Sequence, residues 1–277
     1  MGVPRTEVIT FPDYSYNCRA RWGYGQPSHP HLSRILRERQ DGYRPLLAAM
    51  AEQRERLAAI PLTPKTEAGS PSQEPHWQND WFSGFDAASL YTLLARERPK
   101  IYLEVGSGNS TLFARRAIKD HGLKTQLVSI DPRPRADIDA ICDHIVRQRL
   151  EDTPVKLYAA LEPGDVLFVD NSHRALENSD VTAFFLDVLP VLKPGVFFGL
   201  HDIFLPDDYP PGWEGRGYSE QYMLASWLLA GAPFDILFPA YFVATSPDFA
   251  ADAARVFDHP ALVSAPRSGG IFWMRAR

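Results

Sequence analysis

Apolar residues recur along this chain in two rhythms. Between residues 32 and 60, Leu32, Ile35, Leu36, Tyr43, Leu46, Leu47, Met50 and Leu57 return at helical spacing among charges, with a break at Asp41-Gly42. A second amphipathic stretch follows the aromatic turn 77–85, with Leu90, Leu93 and Leu94 facing inward. Beyond Lys100 the rhythm changes. Short apolar runs at 101–105, 126–131, 144–149, 165–170, 196–202, 235–245 and 270–276 alternate with helical stretches at 110–121, 135–143, 178–192, 218–230 and 249–257. This alternation predicts an α/β fold, a doubly wound, Rossmann-like, seven-stranded and mostly parallel sheet covered on both faces. The last two strands lack a long crossover and predict an antiparallel edge. Ligands of such sheets bind outside the carboxyl ends of the strands.

The stretch 61–75 is rich in proline and polar residues and reads as a linker. It divides the chain into a helical and irregular extension, 1–75, and a main domain, 76–277. Residues 1–30 look irregular. Composition then narrows the function. A net charge of −5 argues against a broad nucleic-acid surface. No run of about eighteen apolar residues suggests a membrane span, and the first residues lack the pattern of a secretory signal. Cys18 and Cys142 have no paired spacing, which points away from disulfides and structural zinc and toward a reducing cytoplasm.

The candidate chemistry sits where the strands end. The run IYLEVGSGNSTLF places Gly106-Ser107-Gly108 between a strand and a helix, with Thr111 where a dinucleotide fingerprint has its third glycine. Ser110 or Thr111 can cap the helix. The second strand ends in Asp131, able to accept ribose hydroxyls from either NAD or an adenosine-type ligand. Glu104, two residues before the glycine turn, can hold a ligand ammonium group, which a dinucleotide lacks and S-adenosylmethionine (SAM) has. The fourth strand ends in Asp170-Asn171-Ser172-His173 and the fifth in His201-Asp202.

Taken in order, EVGSGNSTL, SIDP, LFVDNSH and LKPGVFFGLHDIFLP resemble the class I SAM-dependent methyltransferases. More narrowly, they are similar to a bacterial family related to the macrocin-type sugar O-methyltransferases and to the catechol type. The resemblance runs from about residue 77 to 277 and includes WFSGFDA and SEQY. It implies that Glu104, Gly106 and Gly108 meet the methionine part of SAM and Asp131 its ribose. Ser107, Ser110 and Asp170 complete the donor-binding set, and the adenine is expected near Leu150-Glu151-Asp152.

The resemblance also implies a divalent cation, magnesium or manganese, at Asp170 and Asp202, with His201 adjacent as a third ligand. The catechol-type pattern ends this strand in Asp-Asn, whereas this chain has His-Asp. The competing reading is that Asp202 orients His201 without a metal. His173 takes the offset of a catalytic lysine and is a candidate base, with His201 its competitor. The loop 204–222 is expected to recognise the acceptor through Tyr209, Trp213, Arg216 and Gln221. Trp77, Trp81, Phe82 and Phe85 either line the site entrance or pack on the sheet. Arg133, Arg135, Arg147 and Arg149 form a solvated face or an anion-binding spot.

The expected activity is O-methylation of a small-molecule or glycosyl hydroxyl. The extension would serve acceptor selection or pairing into a homodimer. The alternatives are a non-catalytic SAM-binding protein and an NAD(P)-dependent oxidoreductase.

Overall fold

The computed structural model describes residues 19–64, 73–82, 84–134 and 137–277. Cys18, Arg135 and most of the expected linker lie outside these residues. Seven strands, β1 (Ile101–Val105), β2 (Gln126–Ile130), β3 (His144–Val146), β4 (Val166–Val169), β5 (Phe197–Leu200), β6 (Phe234–Pro239) and β7 (Phe272–Ala276), form one sheet. Their order is β3-β2-β1-β4-β5-β7-β6. The first five are parallel, and β7 runs antiparallel between β5 and β6. The sheet reverses its winding between β1 and β4, which opens a crevice at their carboxyl ends.

The central strands are near-continuous apolar runs because helices cover both faces; all four residues of β4 and of β5 are buried. Gly199 is required here by packing rather than by backbone conformation. A Cβ on it would stand 2.5 Å from the Trp273 ring of β7, which lies across β5.

The helices are α1 (Pro30–Arg37), α2 (Arg44–Glu52), α3 (Arg54–Ala58), α4 (Phe85–Glu97), α5 (Asn109–Asp120), α6 (Lys156–Ala159), α7 (Asp180–Ala183), α8 (Glu220–Leu229), α9 (Ala240–Thr245) and α10 (Ala250–Phe257). The break expected at Asp41-Gly42 is a 3-10 turn, Gln40–Gly42. Leu36, Leu47, Met50 and Leu57 of α1–α3 join the same apolar core as the sheet. The described part of the extension is therefore packed into one body with the main domain.

Three expectations need correction. The stretch 235–245 is not one strand: β6 ends at Pro239 and the chain turns into α9. The stretch 135–143 is not a helix in its described part, which holds only the 3-10 turn Asp139–Ile141. Helix α4 is not amphipathic, since every residue from Phe85 to Leu94 is buried between the extension and the sheet. The segment 178–192 is helical but irregular. It widens to a π turn at Phe184–Val188 and tightens at Leu189–Val191, where Pro190 removes a backbone donor.

Candidate active site

A cleft of about 650 Å³ opens at the carboxyl ends of β1, β2 and β4. Its floor is the glycine turn. Gly106 has φ +78°, and a Cβ on it would lie 1.8 Å from the Asp170 carbonyl oxygen, so the turn presses directly on the end of β4. The amide of Ser107 donates to Asp131 Oδ2 at 2.8 Å, and the Arg133 amide to Asp131 Oδ1 at 2.6 Å. Asp131 thus holds two loops and lines the cleft with them. The Gly108 amide donates to Thr111 Oγ1 at 3.0 Å, closing the first turn of α5. Gly106, Ser107, Gly108, Ser110, Asp131 and Asp170 all line the cleft, as do Leu150, Glu151, Arg133 and Arg149.

Glu104 is placed differently from the sequence expectation. Its side chain is fully buried beneath the turn and does not line the cleft. Tyr102 and Ser110 donate hydroxyls to Oε2 at 3.0 and 3.1 Å, and Thr111 donates to Oε1. Burial pushes its carboxyl up to about 7 against these hydroxyls, which favour the charged form. Glu104 anchors the N-terminus of α5 to β1 from beneath the glycine turn.

At the far end of the cleft Asp170 connects to a buried cluster of two imidazoles and three further carboxylates. His173 Nε2 lies 3.1 Å from Asp170 Oδ1 and 3.4 Å from Asp202 Oδ2, while its Nδ1 lies 2.8 Å from Glu220 Oε2. The other Glu220 oxygen accepts from Asn171 Nδ2 at 3.1 Å. His201 turns Nε2 to Asp86 Oδ2 at 3.3 Å. Its Nδ1 stands 3.5 Å from Asp170 Oδ1 and 3.6 Å from Asp202 Oδ1, buried and without a hydrogen bond.

Burial alone would lower both histidines, but the surrounding carboxylates win. Asp170 and Glu220 raise His173 to about 10, and Asp170 and Asp202 hold His201 well above its usual range. Burial would raise Asp170, yet the two imidazoles depress it. For Asp202 and Glu220 burial prevails and both are raised.

Two of these residues hold left-handed backbones that side chains rarely adopt, His173 at φ 58° and Asp202 at φ 54°. The surroundings fix the first: the His173 carbonyl accepts the amides of Ser219 and Glu220 at 2.7 and 3.1 Å, and its own amide donates to Asn171 Oδ1 at 2.9 Å.

Among the described residues no group of three or more His, Cys, Asp and Glu side chains is arranged so that it could hold a metal ion. The orphaned His201 Nδ1 nevertheless faces two carboxylate oxygens. By residue type Asp170, His201 and Asp202 are groups a divalent cation accepts; their placement is not that of a formed site.

The aromatic group divides. Trp77, Phe82 and Phe85 are core residues, whereas exposed Trp81 lines the cleft with one edge of Phe82. Tyr209 of the loop after β5 and Gln221 at the start of α8 brace each other and the backbone. Gln221 accepts the Phe204 amide at 2.9 Å and donates to the Asp207 carbonyl at 3.2 Å; Tyr209 takes the Gln221 amide at 3.1 Å. Trp213 and Arg216 remain at the surface, the guanidinium 3.7 Å from the ring centroid. Of the basic cluster, Arg147 pairs with Asp139, while Arg133 and Arg149 border the cleft. Sequence reasoning assigned no role to Asp86 or Glu220. Both stood within quoted motif stretches, WFSGFDA and SEQY, but nothing in their spacing says that they meet His201 and His173.

Residues 103–203 match the model of a methyltransferase-domain family. No curated protein matches the chain by sequence. Among solved structures, the SAH-bound methyltransferase of Podospora anserina is 19% identical over 69% of this chain and 77% of its own, with a TM-score of 0.42. An SAH complex of an O-methyltransferase from Bacillus cereus is 14% identical over 82% and 90%, with a TM-score of 0.36. The MycE methyltransferase of the mycinamycin pathway, in complex with Mg and SAH, is 18% identical over 65% and 48%, with a TM-score of 0.38. The matched residues run from within β1 to just past β5 and include the glycine turn, Asp131, Asp170, His173, His201 and Asp202. Among the described residues no helix is long and apolar enough to cross a membrane.

Proposed function

We propose that this protein transfers the methyl group of SAM to a hydroxyl oxygen of a small-molecule or glycosyl acceptor, with His173 as the base and a divalent cation assisting. The observation that carries this reading is the position of Asp170. It lines the donor cleft and also touches the His173 and His201 imidazoles, so donor and proton acceptor meet at one residue.

The chemistry is a displacement at carbon. The S–CH₃ bond of the sulfonium breaks with its electron pair left on sulfur, the acceptor oxygen forms the new C–O bond, and its proton passes to His173 Nε2. The donor is already activated, so the protein acts mainly by holding the oxygen in line and removing its proton. Glu220 steadies the imidazole from behind. Asp170, His201 and Asp202 would hold the cation. Once bound, a divalent ion lowers the acceptor hydroxyl's pKa and offsets the carboxylates that otherwise keep His173 protonated.

Labelled SAM incubated with the protein and fractionated small-molecule extract tests the reading. The expected result is a labelled product that needs Mg²⁺ or Mn²⁺ and is lost in His173→Ala, with SAH affinity retained in that variant. Label on nitrogen or carbon, or transfer unaffected by His173→Ala, would overturn it.

A further inference from the structure

One aromatic ring and two guanidiniums meet beside the buried cluster. The Tyr218 ring lies against the His173 imidazole, with centroids 4.7 Å apart. Around the same ring stand the guanidiniums of Arg174, 5.4 Å from its centroid, and Arg216, 5.5 Å away. Both cations are therefore one ring removed from the proposed base. Exposed Arg174 also adjoins the donor cleft. Its Nη1 donates to the Ser172 carbonyl at 3.4 Å, its carbonyl accepts the Ser179 hydroxyl at 2.7 Å, and both serines line the cleft.

The two side chains are held in place and still keep donors free. Arg174 Nε donates to the Arg216 carbonyl at 2.8 Å, where the 3-10 turn Glu214–Arg216 ends in left-handed Gly217. Arg216 lies over the Trp213 ring, 3.7 Å from its centroid. The donors of a guanidinium lie in its own plane, so a contact through its face leaves them available. Among the described residues no carboxylate pairs with either guanidinium. Two like charges gathered around one ring repel each other, a cost that an anionic ligand removes.

We propose that Arg174 and Arg216 select an acceptor bearing a carboxylate or phosphate group, which they clasp while the acceptor's hydroxyl reaches His173. The inference rests on the O-methyl transfer reading above and narrows it to anionic acceptors; among glycosyl acceptors, uronates and sugar phosphates qualify. A guanidinium binds the paired oxygens of either group through two parallel hydrogen bonds, which fixes orientation as well as affinity. Tyr218 sets the spacing between the anion and the reacting oxygen. A neutral acceptor gains nothing from either charge, so the pair discriminates between the two kinds.

The test divides small-molecule extract on a strong anion-exchange resin at neutral pH and assays the bound and unbound fractions with labelled SAM. Transfer of label to oxygen is expected in the bound fraction alone. Phosphatase treatment then separates the two sources: a phosphate acceptor loses its retention and a carboxylate acceptor keeps it, and either result agrees with the inference. With the retained acceptor, Arg174→Gln combined with Arg216→Gln is expected to raise KM about 10–100-fold, with kcat within about threefold and SAH affinity unchanged, the pattern of lost ground-state binding. Lysine at both positions keeps the charge without the fork and should recover part of that loss. The single variants carry the measurement if the double variant does not fold. Transfer to oxygen in the unbound fraction, or an unchanged KM in the folded glutamine variants, would remove this inference and leave the O-methyl transfer reading standing. Absence of transfer to oxygen in both fractions would remove the two together.

Discussion

His173 Nδ1 lies 2.8 Å from Oε2 of fully buried Glu220, across 47 residues of chain. The amides of Ser219 and Glu220 close on the His173 carbonyl at the same point, so the start of α8 grips both backbone and ring of the proposed base. Removing the carboxylate while keeping its shape should therefore cost turnover rather than donor binding. Glu220→Gln is expected to lower turnover of the acceptor about 10- to 100-fold and leave SAH affinity within about twofold. Glu220→Ala, which also strips the buried partner from Asn171, should lose a further ~1–3 kcal/mol of stability. Calorimetry with SAH and rate measurements separate the two effects. Unchanged turnover in Glu220→Gln would show that the contact is only structural.

Gly106 is the position where the cleft tolerates least change. Gly106→Ala combines a left-handed φ with a Cβ driven into the Asp170 carbonyl. It is expected to destabilise the protein by at least about 2 kcal/mol and to abolish SAH binding. Urea unfolding and SAH titration read both. Stability within about 0.5 kcal/mol of wild type would contradict the close approach of the turn to β4.

Glu104 gives the stability a pH dependence of definite sign. Its folded carboxyl sits at about 7 against an ordinary 4.5, so the folded state binds the proton more tightly than the unfolded chain. Its contribution is full below about pH 4.5 and is lost as pH rises toward 7. Glu104→Gln has no such proton to lose. Relative to this variant, wild type should lose stability between about pH 5 and about pH 8. Paired urea unfolding curves across that range test it, and a constant difference would rule out a shifted Glu104.

Asp208 ties the extension to the loop after β5 and to the start of α8. Oδ2 accepts the amides of Arg21 and Trp22 at 2.6 and 2.9 Å, and Oδ1 accepts the Tyr222 hydroxyl at 3.0 Å. Asp208→Ala should raise amide exchange in residues 19–25 and 207–217 at least tenfold and leave α5 and the glycine turn protected. Exchange unchanged in both segments would mean that other contacts fix this loop.

Much of the scaffold was legible because its signals are local. Strands β1, β2, β4 and β5 are short apolar runs broken by helical spacing, and the glycine turn and Asp131 are fixed by the strand-to-helix geometry in which they occur. The failures were tertiary. Leu237 to Thr245 has strand-like composition, but Pro239 ends the ladder and the following residues coil against α4. The motif position of Glu104 was legible, but not that Tyr102, Ser110 and Thr111 enclose its carboxylate. Asp86 and Glu220 come from α4 and α8, far along the chain from the imidazoles they meet. Only the folded chain brings them beside His201 and His173.

The most direct measurement is a crystal structure of the protein grown with SAH and Mn²⁺. SAH is expected between the 106–110 turn and Asp131, its sulfur directed toward Asp170, with the ion between Asp170, His201 and Asp202. An empty cleft, or SAH with its sulfur turned away from Asp170, would contradict a donor and a base meeting at that residue.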